Sequence, residues 1–174
     1  MGAWALNPDP LPETIENLPK IHYIYCTHEH PDHFHPPSLK KLLEGPAKGA
    51  TLCIPRYMVD RFAPRVRQFA GDTPILEMAH GKKYMLGSLE AWSYQYRNDD
   101  TTLVLRAQDG YTLVNSNDTF VKGWPLDQIT SRHPKPNVLM NQFSVSNAYP
   151  YGYEDYKLAP DEFRGRRRTL INTA

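Results

Sequence analysis

Three histidines within six positions, with a carboxylate directly before the third, are the residues of this chain best suited to chemistry. The run is Thr27-His28-Glu29-His30-Pro31-Asp32-His33. Neutral imidazole ligates zinc and iron, and a carboxylate can join it as a ligand or take up a proton. His28 and His30, one residue apart, can point the same way from the extended end of a strand. Asp32 and His33 can serve a neighbouring ion from a helix entrance. The alternative is a solvated loop that is merely rich in histidine. Imidazoles this close repel one another once protonated, so their convergence needs a reason.

The run sits where a strand must end. Residues 21–26, Ile-His-Tyr-Ile-Tyr-Cys, are β-branched and aromatic without clean alternation, which predicts a strand covered on both faces. A buried strand aims its C-terminal end at a crevice, where a loop can bring several side chains to one point. Pro36-Pro37-Ser38 then opens a helix with Leu39, Leu42 and Leu43 on one side, closed by Gly45. His35 reads as a helix-entry residue. Residues 51–54 predict a second buried strand, and 57–69 a helix carrying Met58, Phe62, Val66 and Phe69, kinked at Pro64. Beyond Gly71 the pattern changes to short strands at 75–78, 83–86 and 89–96. A hairpin of 103–107 against 111–115 turns at Asp109-Gly110, a pair suited to positive φ. A short helix near 125–130 and a strand at 138–140 precede an aromatic loop, 143–156. A short helix at 13–18 is predicted before Pro19. The order of elements indicates a mixed α/β layer structure in a single domain over residues 1–174.

His28-x-His30-x-Asp32-His33, after an apolar strand and Thr27, resembles the metal signature of the metallo-β-lactamase-fold superfamily. Leu113-Val114-Asn115-Ser116-Asn117-Asp118-Thr119 is similar to that superfamily's strand ending in Gly-Asp-Thr, with Asn117 in place of the usual glycine. The resemblance implies a four-layer αββα sandwich that holds one or two divalent metal ions, zinc or iron. His28, His30 and His33 would be ligands, Asp32 would serve the second metal, and Asp118 would bridge both. Asp32 would also be catalytic, orienting a water or accepting its proton. Asn7-Pro8-Asp9-Pro10-Leu11-Pro12 and the Pro-Ser-Leu helix resemble the branch with N-acyl-phosphatidylethanolamine phospholipase D and the ascorbate-phosphate lactonases. Asn141-Gln142-Phe143-Ser144 and Tyr149-Pro150 look more like the CMP-N-acetylneuraminate hydroxylases.

Three departures shape the expectation. The superfamily begins with at least two strands before the metal loop, so this domain is expected to lack its first strands. The additional histidine usual before the bridging aspartate is absent; His80 reads as a turn residue. Asp99 or Asp100 could replace that ligand and favour iron or manganese, but Asn98-Asp99-Asp100 reads more readily as a turn. The final histidine is also absent, since His133 reads as a loop residue.

The resemblance therefore implies a metal-dependent hydrolase that uses an ion-held hydroxide on a small-molecule ester, lactone, amide or phosphodiester. An iron-dependent oxygenase on the same fold is the alternative, and a non-catalytic metal-binding remnant a third. A net charge of +1 over 174 residues provides no general field for nucleic acid or anionic membrane. No apolar run is long enough for a membrane span, and residues 1–20 lack the pattern of a signal peptide. Cys26 and Cys53, the only cysteines, are expected to be inert core thiols in a cytoplasmic protein. The Arg164-Gly165-Arg166-Arg167-Arg168 tail reads as a solvated terminus, and Tyr149, Tyr151, Tyr153 and Tyr156 as packing residues. An uncovered sheet edge would call for a second copy of the chain or an upstream segment to complete the sheet.

Overall fold

The structure is a computed structural model that describes residues 15, 17–59, 61–96, 100–119 and 122–141. These lie within one compact unit, Leu11–Gln142. The expected helix at 13–18, Asp99, the aromatic loop and the basic tail fall largely or wholly outside the described residues.

The first half alternates strand and helix: β1 (Tyr23–Tyr25), α1 (Pro36–Glu44), β2 (Thr51–Pro55), α2 (Phe62–Ala70) and β3 (Ile75–Met78). The strands pair in parallel in the order β1-β2-β3. The second half is a meander, β4 (Lys83–Leu86), β5 (Leu89–Tyr96), β6 (Asp100–Arg106) and β7 (Thr112–Asn115). Helix α3 (Trp124–Arg132) then returns the chain to β8 (Val138–Met140), which joins β7 in parallel. The β6–β7 hairpin turns through Gly110 at φ +87°, the left-handed geometry foreseen for Asp109-Gly110.

Strand alternation sorts the side chains into layers. Leu52 and Ile54 of β2 pack with Phe34, Leu39, Phe62 and Val66 beneath α1 and α2. Cys53, on the opposite face of the same strand, meets Met78, Leu86 and Ala91 between the sheets. Trp92, Tyr94, Val104 and Val114 face the other way, towards Ile129 of α3. Helices, sheet, sheet and helix thus form the four layers of an αββα sandwich. Tyr25 crosses the gap between the sheets, its hydroxyl 2.8 Å from both Ser93 Oγ and Thr101 Oγ1.

Three local expectations need correction. Strand β1 is not covered on both faces: Tyr23 is exposed, Ile24 and Tyr25 are half-buried, and only β2 pairs with β1 among the described residues. Helix α2 begins at Phe62 rather than near residue 57, which puts Pro64 in its first turn, where a missing N–H leaves no helical bond unmade. The expected kink therefore does not arise, and Met58 is 91% exposed instead of facing the core. Both cysteines are buried; burial raises Cys26 to about 11 and Cys53 to about 12, so both thiols stay protonated.

A buried aromatic side chain anchors the far end of the histidine loop. Phe34 is 1% exposed and meets the rings of Phe62 and Phe69 edge-on at 5.3 and 5.7 Å. Phe34→Ala should lower the unfolding free energy by about 3–5 kcal/mol, as a buried aromatic deletion does. Urea denaturation checks this, and a loss below 1 kcal/mol would show that the loop end is held by something else.

Candidate metal centre

The described residues of the two sheets converge on one end of the sandwich. The loop after β1 supplies His28, His30, Asp32 and His33, and the turn after β7 supplies Asp118. A tight turn shapes the loop, with the His33 and Phe34 amides both bonding the His30 carbonyl at 3.0 and 2.7 Å. Helix α1 then starts at Pro36-Pro37, whose missing N–H groups suit a first turn. His35 is its N-cap, Nδ1 lying 2.8 Å from Ser38 Oγ, so this ring is used at the helix entrance as expected.

Of the three remaining rings of the loop, His30 and His33 both meet His28. His28 is buried, and its centroid lies 4.4 Å from that of His30 and 4.2 Å from that of His33. His28 Nε2 stands 2.8 Å from His30 Nδ1. His33 Nε2 lies 3.0 Å from Asp118 Oδ2 and 3.4 Å from Asp32 Oδ2. One donor atom from each of His28, His33 and Asp118 falls within a 4.8 Å span. His30 joins this group through its bond to His28, and Asp32 stands at the rim with its side chain 75% exposed. Burial, then the neighbouring His33 and His30, push His28 down to about 4. It is therefore neutral at neutral pH, the form whose lone pair binds metal. Imidazole nitrogens facing imidazole and carboxylate atoms at these spacings fit a divalent transition ion such as zinc or iron.

Behind His28 lies a layer that the motif does not show. Thr27 Oγ1 is 3.0 Å from His28 Nδ1 and accepts a 2.8 Å hydrogen bond from Asn117 Nδ2. Asp100 Oδ1 is 3.5 Å from the same nitrogen and accepts from Thr101 N at 2.7 Å and Asn117 Nδ2 at 3.3 Å. Burial raises Asp100 to about 6, outweighing these hydrogen bonds. Asp100 is thus a buried first residue of β6, not a turn residue, and it faces His28 from the side away from the cluster. The signal in the sequence was its place at the head of Thr101-Thr102-Leu103-Val104, a run of strand formers.

The other two candidate histidines are committed elsewhere. His80 Nδ1 accepts from the Gln95 amide at 2.9 Å, its Nε2 donates to Gln128 Oε1 at 2.7 Å, and its ring stacks on Trp124 at 5.2 Å. His133 follows α3 but is buried rather than solvated. Arg106 donates to its Nδ1 at 2.7 Å, leaving Nε2 to donate to the Tyr94 hydroxyl at 2.9 Å. Both rings have each nitrogen satisfied by protein.

No protein-family model matches this sequence, and no curated protein does. Solved structures do. CmlA, a diiron beta-hydroxylase from Streptomyces venezuelae, matches 88% of this chain at a TM-score of 0.63 and 15% identity. An isothiocyanate hydrolase from Delia radicum gut bacteria matches 76% at 0.55 and 19% identity. A possible metal-dependent hydrolase from Veillonella parvula matches 68% at 0.52 and 14% identity. The chain shares their metallo-β-lactamase-like αββα fold. The chain spans 32% of CmlA and 52% and 47% of the two hydrolases. These metallo-β-lactamase-fold structures do not distinguish the narrower branches that the proline-rich and aromatic segments resemble.

His133 offers a test of the packing between the meander and α3. Burial first, then the Arg106 and Arg132 charges, lower it to about 4 from an ordinary value near 6.5. Between those values the unfolded chain binds a proton that the folded chain does not, so stability is full above pH 6.5 and falls as pH drops towards 4. His133→Gln should flatten the pH dependence of the urea midpoint between pH 7 and 4.5, removing on the order of 1–3 kcal/mol of slope. An unchanged slope would show that the ring titrates freely.

Proposed function

We propose that this chain is a metal-dependent hydrolase centred on His28, His30, Asp32, His33 and Asp118. The observation that supports this reading best is the convergence of His28, His33 and Asp118 from two separate sheets on one point. When bound, one or two divalent ions supply Lewis acidity and acidify a coordinated water. His28, His30 and His33 offer imidazole nitrogen to those ions, with burial keeping His28 unprotonated. Asp118, between the His33 side of the cluster and solvent, offers carboxylate oxygen to the same ions. Asp32 Oδ2, near His33 Nε2 and open to water, is placed to accept the proton of an attacking water and pass it to solvent. The substrate class is a small ester, lactone, amide or phosphodiester. The hydrolases among the structural matches support this choice of reaction, while the fold itself serves more than one chemistry.

A second reading, an iron-dependent oxygenase, draws on the structural matches. One match, which covers 88% of this chain, is a diiron beta-hydroxylase by its own description.

Metal analysis after anaerobic purification, paired with turnover, separates the readings. The hydrolase reading expects bound zinc or iron and hydrolysis of at least one of the four substrate types, abolished by a chelator and restored by metal. His30→Ala should lose most of the metal, and Asp32→Asn should lower kcat by about 10²–10⁴-fold while retaining metal, the usual range for a lost proton acceptor. Stoichiometric iron with oxygen consumption and no hydrolysis would sink the hydrolase in favour of the oxygenase. Equal metal content in wild type and His30→Ala would refute the metal assignment itself.

A further inference from the structure

His28 is the most buried of the clustered rings, and its Nε2 is the atom turned towards His30. Something must hold the Nδ1 edge, because an imidazole free to flip would present either nitrogen. Three side chains stand on that edge: Thr27, Asp100 and Asn117. Asn117 ties the other two together. Its amide nitrogen donates to Thr27 Oγ1 at 2.8 Å and to Asp100 Oδ1 at 3.3 Å, and those two atoms lie 3.0 and 3.5 Å from His28 Nδ1.

The backbone explains why this residue can do so. Asn117 is the one non-glycine residue with positive φ among the described residues, at +50°. Asparagine tolerates this left-handed region because its short amide group bonds locally. Here the Asn117 N–H is itself received by Asn115 Oδ1 at 3.0 Å. The conformation carries the chain out of β7 towards Asp118 and turns the Asn117 amide back under the loop after β1. Glycine, usual at this point in the superfamily the motif resembles, would allow the same turn but supply no amide.

We infer that Asn117 is a positioning residue for His28, holding the ring through the Thr27 hydroxyl and the Asp100 carboxylate so that Nε2 faces the cluster. The inference rests on the proposed role of His28 as a metal ligand. Outer partners of this kind fix the tautomer and orientation of a ligating histidine, and their loss commonly weakens metal binding by about 10–100-fold.

The test uses the full chain. Zinc affinity is measured by competition with a chromophoric chelator, and the His28 ring-nitrogen shifts are read by NMR in metal-free protein at neutral pH. Asn117→Gly keeps the turn and removes the amide. It should weaken zinc binding by about 10–100-fold and convert the His28 shifts from one tautomer to a mixture. Thr27→Val should do the same, and Thr27→Ser, which keeps the hydroxyl, should restore both readouts. Tyr94→Phe removes a buried hydrogen bond on the α3 side, so it should lower stability without changing zinc affinity. Wild-type zinc affinity and an unmixed tautomer in Asn117→Gly would overturn the inference while leaving the metal centre standing. No zinc, iron or manganese binding by wild type would overturn the metal reading, and the tautomer comparison would still decide the positioning role.

Discussion

A buried imidazole, His28, with the rings of His30 and His33 at centroid distances of 4.4 and 4.2 Å from it, forms the constraint around which this end of the molecule is organised. Charging any one of them raises the free energy of charging the others, and burial adds a desolvation penalty at His28. Burial keeps His28 neutral, and the His28–His30 and His33–Asp118 contacts leave a set of donors aimed at a common point.

Neither sheet contains this point alone. The parallel sheet delivers the histidine loop from the C-terminal end of β1, while the meander delivers Asp100 at the start of β6 and Asp118 just beyond β7. Their meeting depends on the spacing of the sheets. Cys53, Met78, Leu86 and Ala91 fill the gap, and the Tyr25 hydroxyl bridges it to Ser93 and Thr101. Tyr57 adds a further tie, donating to the Thr27 carbonyl at 2.6 Å and so fixing the residue on which His28 leans. Core packing and ligand placement are here the same problem, because an error in sheet separation moves His28 relative to Asp118 directly.

The histidines of the chain also show how one residue type is divided between structure and chemistry. His80 and His133 each place both ring nitrogens in bonds to protein groups, and each packs against a tryptophan, Trp124 and Trp92 respectively. They finish the seam between the meander and α3. His28, His30 and His33 instead spend ring nitrogens on one another and on carboxylates.

The elements and the ligand candidates were legible from the chain alone, because they are written in local terms. The strands at 75–78, 83–86, 89–96 and 138–140 follow from short runs of strand formers, the hairpin from Asp109-Gly110, and α1 from Pro36-Pro37 and Gly45. The histidine loop was equally plain, since its spacing is local and its residue types have few other uses together. Helix α2 was misplaced because Met58 fitted the apolar period while Pro64 set the true start, and steric exclusion outweighs periodicity. What only the tertiary structure decided is which distant residues stand behind the loop. Asp100 and Asn117 are 73 and 90 residues from Thr27 in sequence, and Asn98-Asp99-Asp100 carries the composition of a turn. Their burial against His28 comes from stacking two sheets whose register no local pattern specifies. The roles of His80 and His133 were hidden for the same reason: a ring's function depends on which atoms face its two nitrogens, and packing between layers sets that.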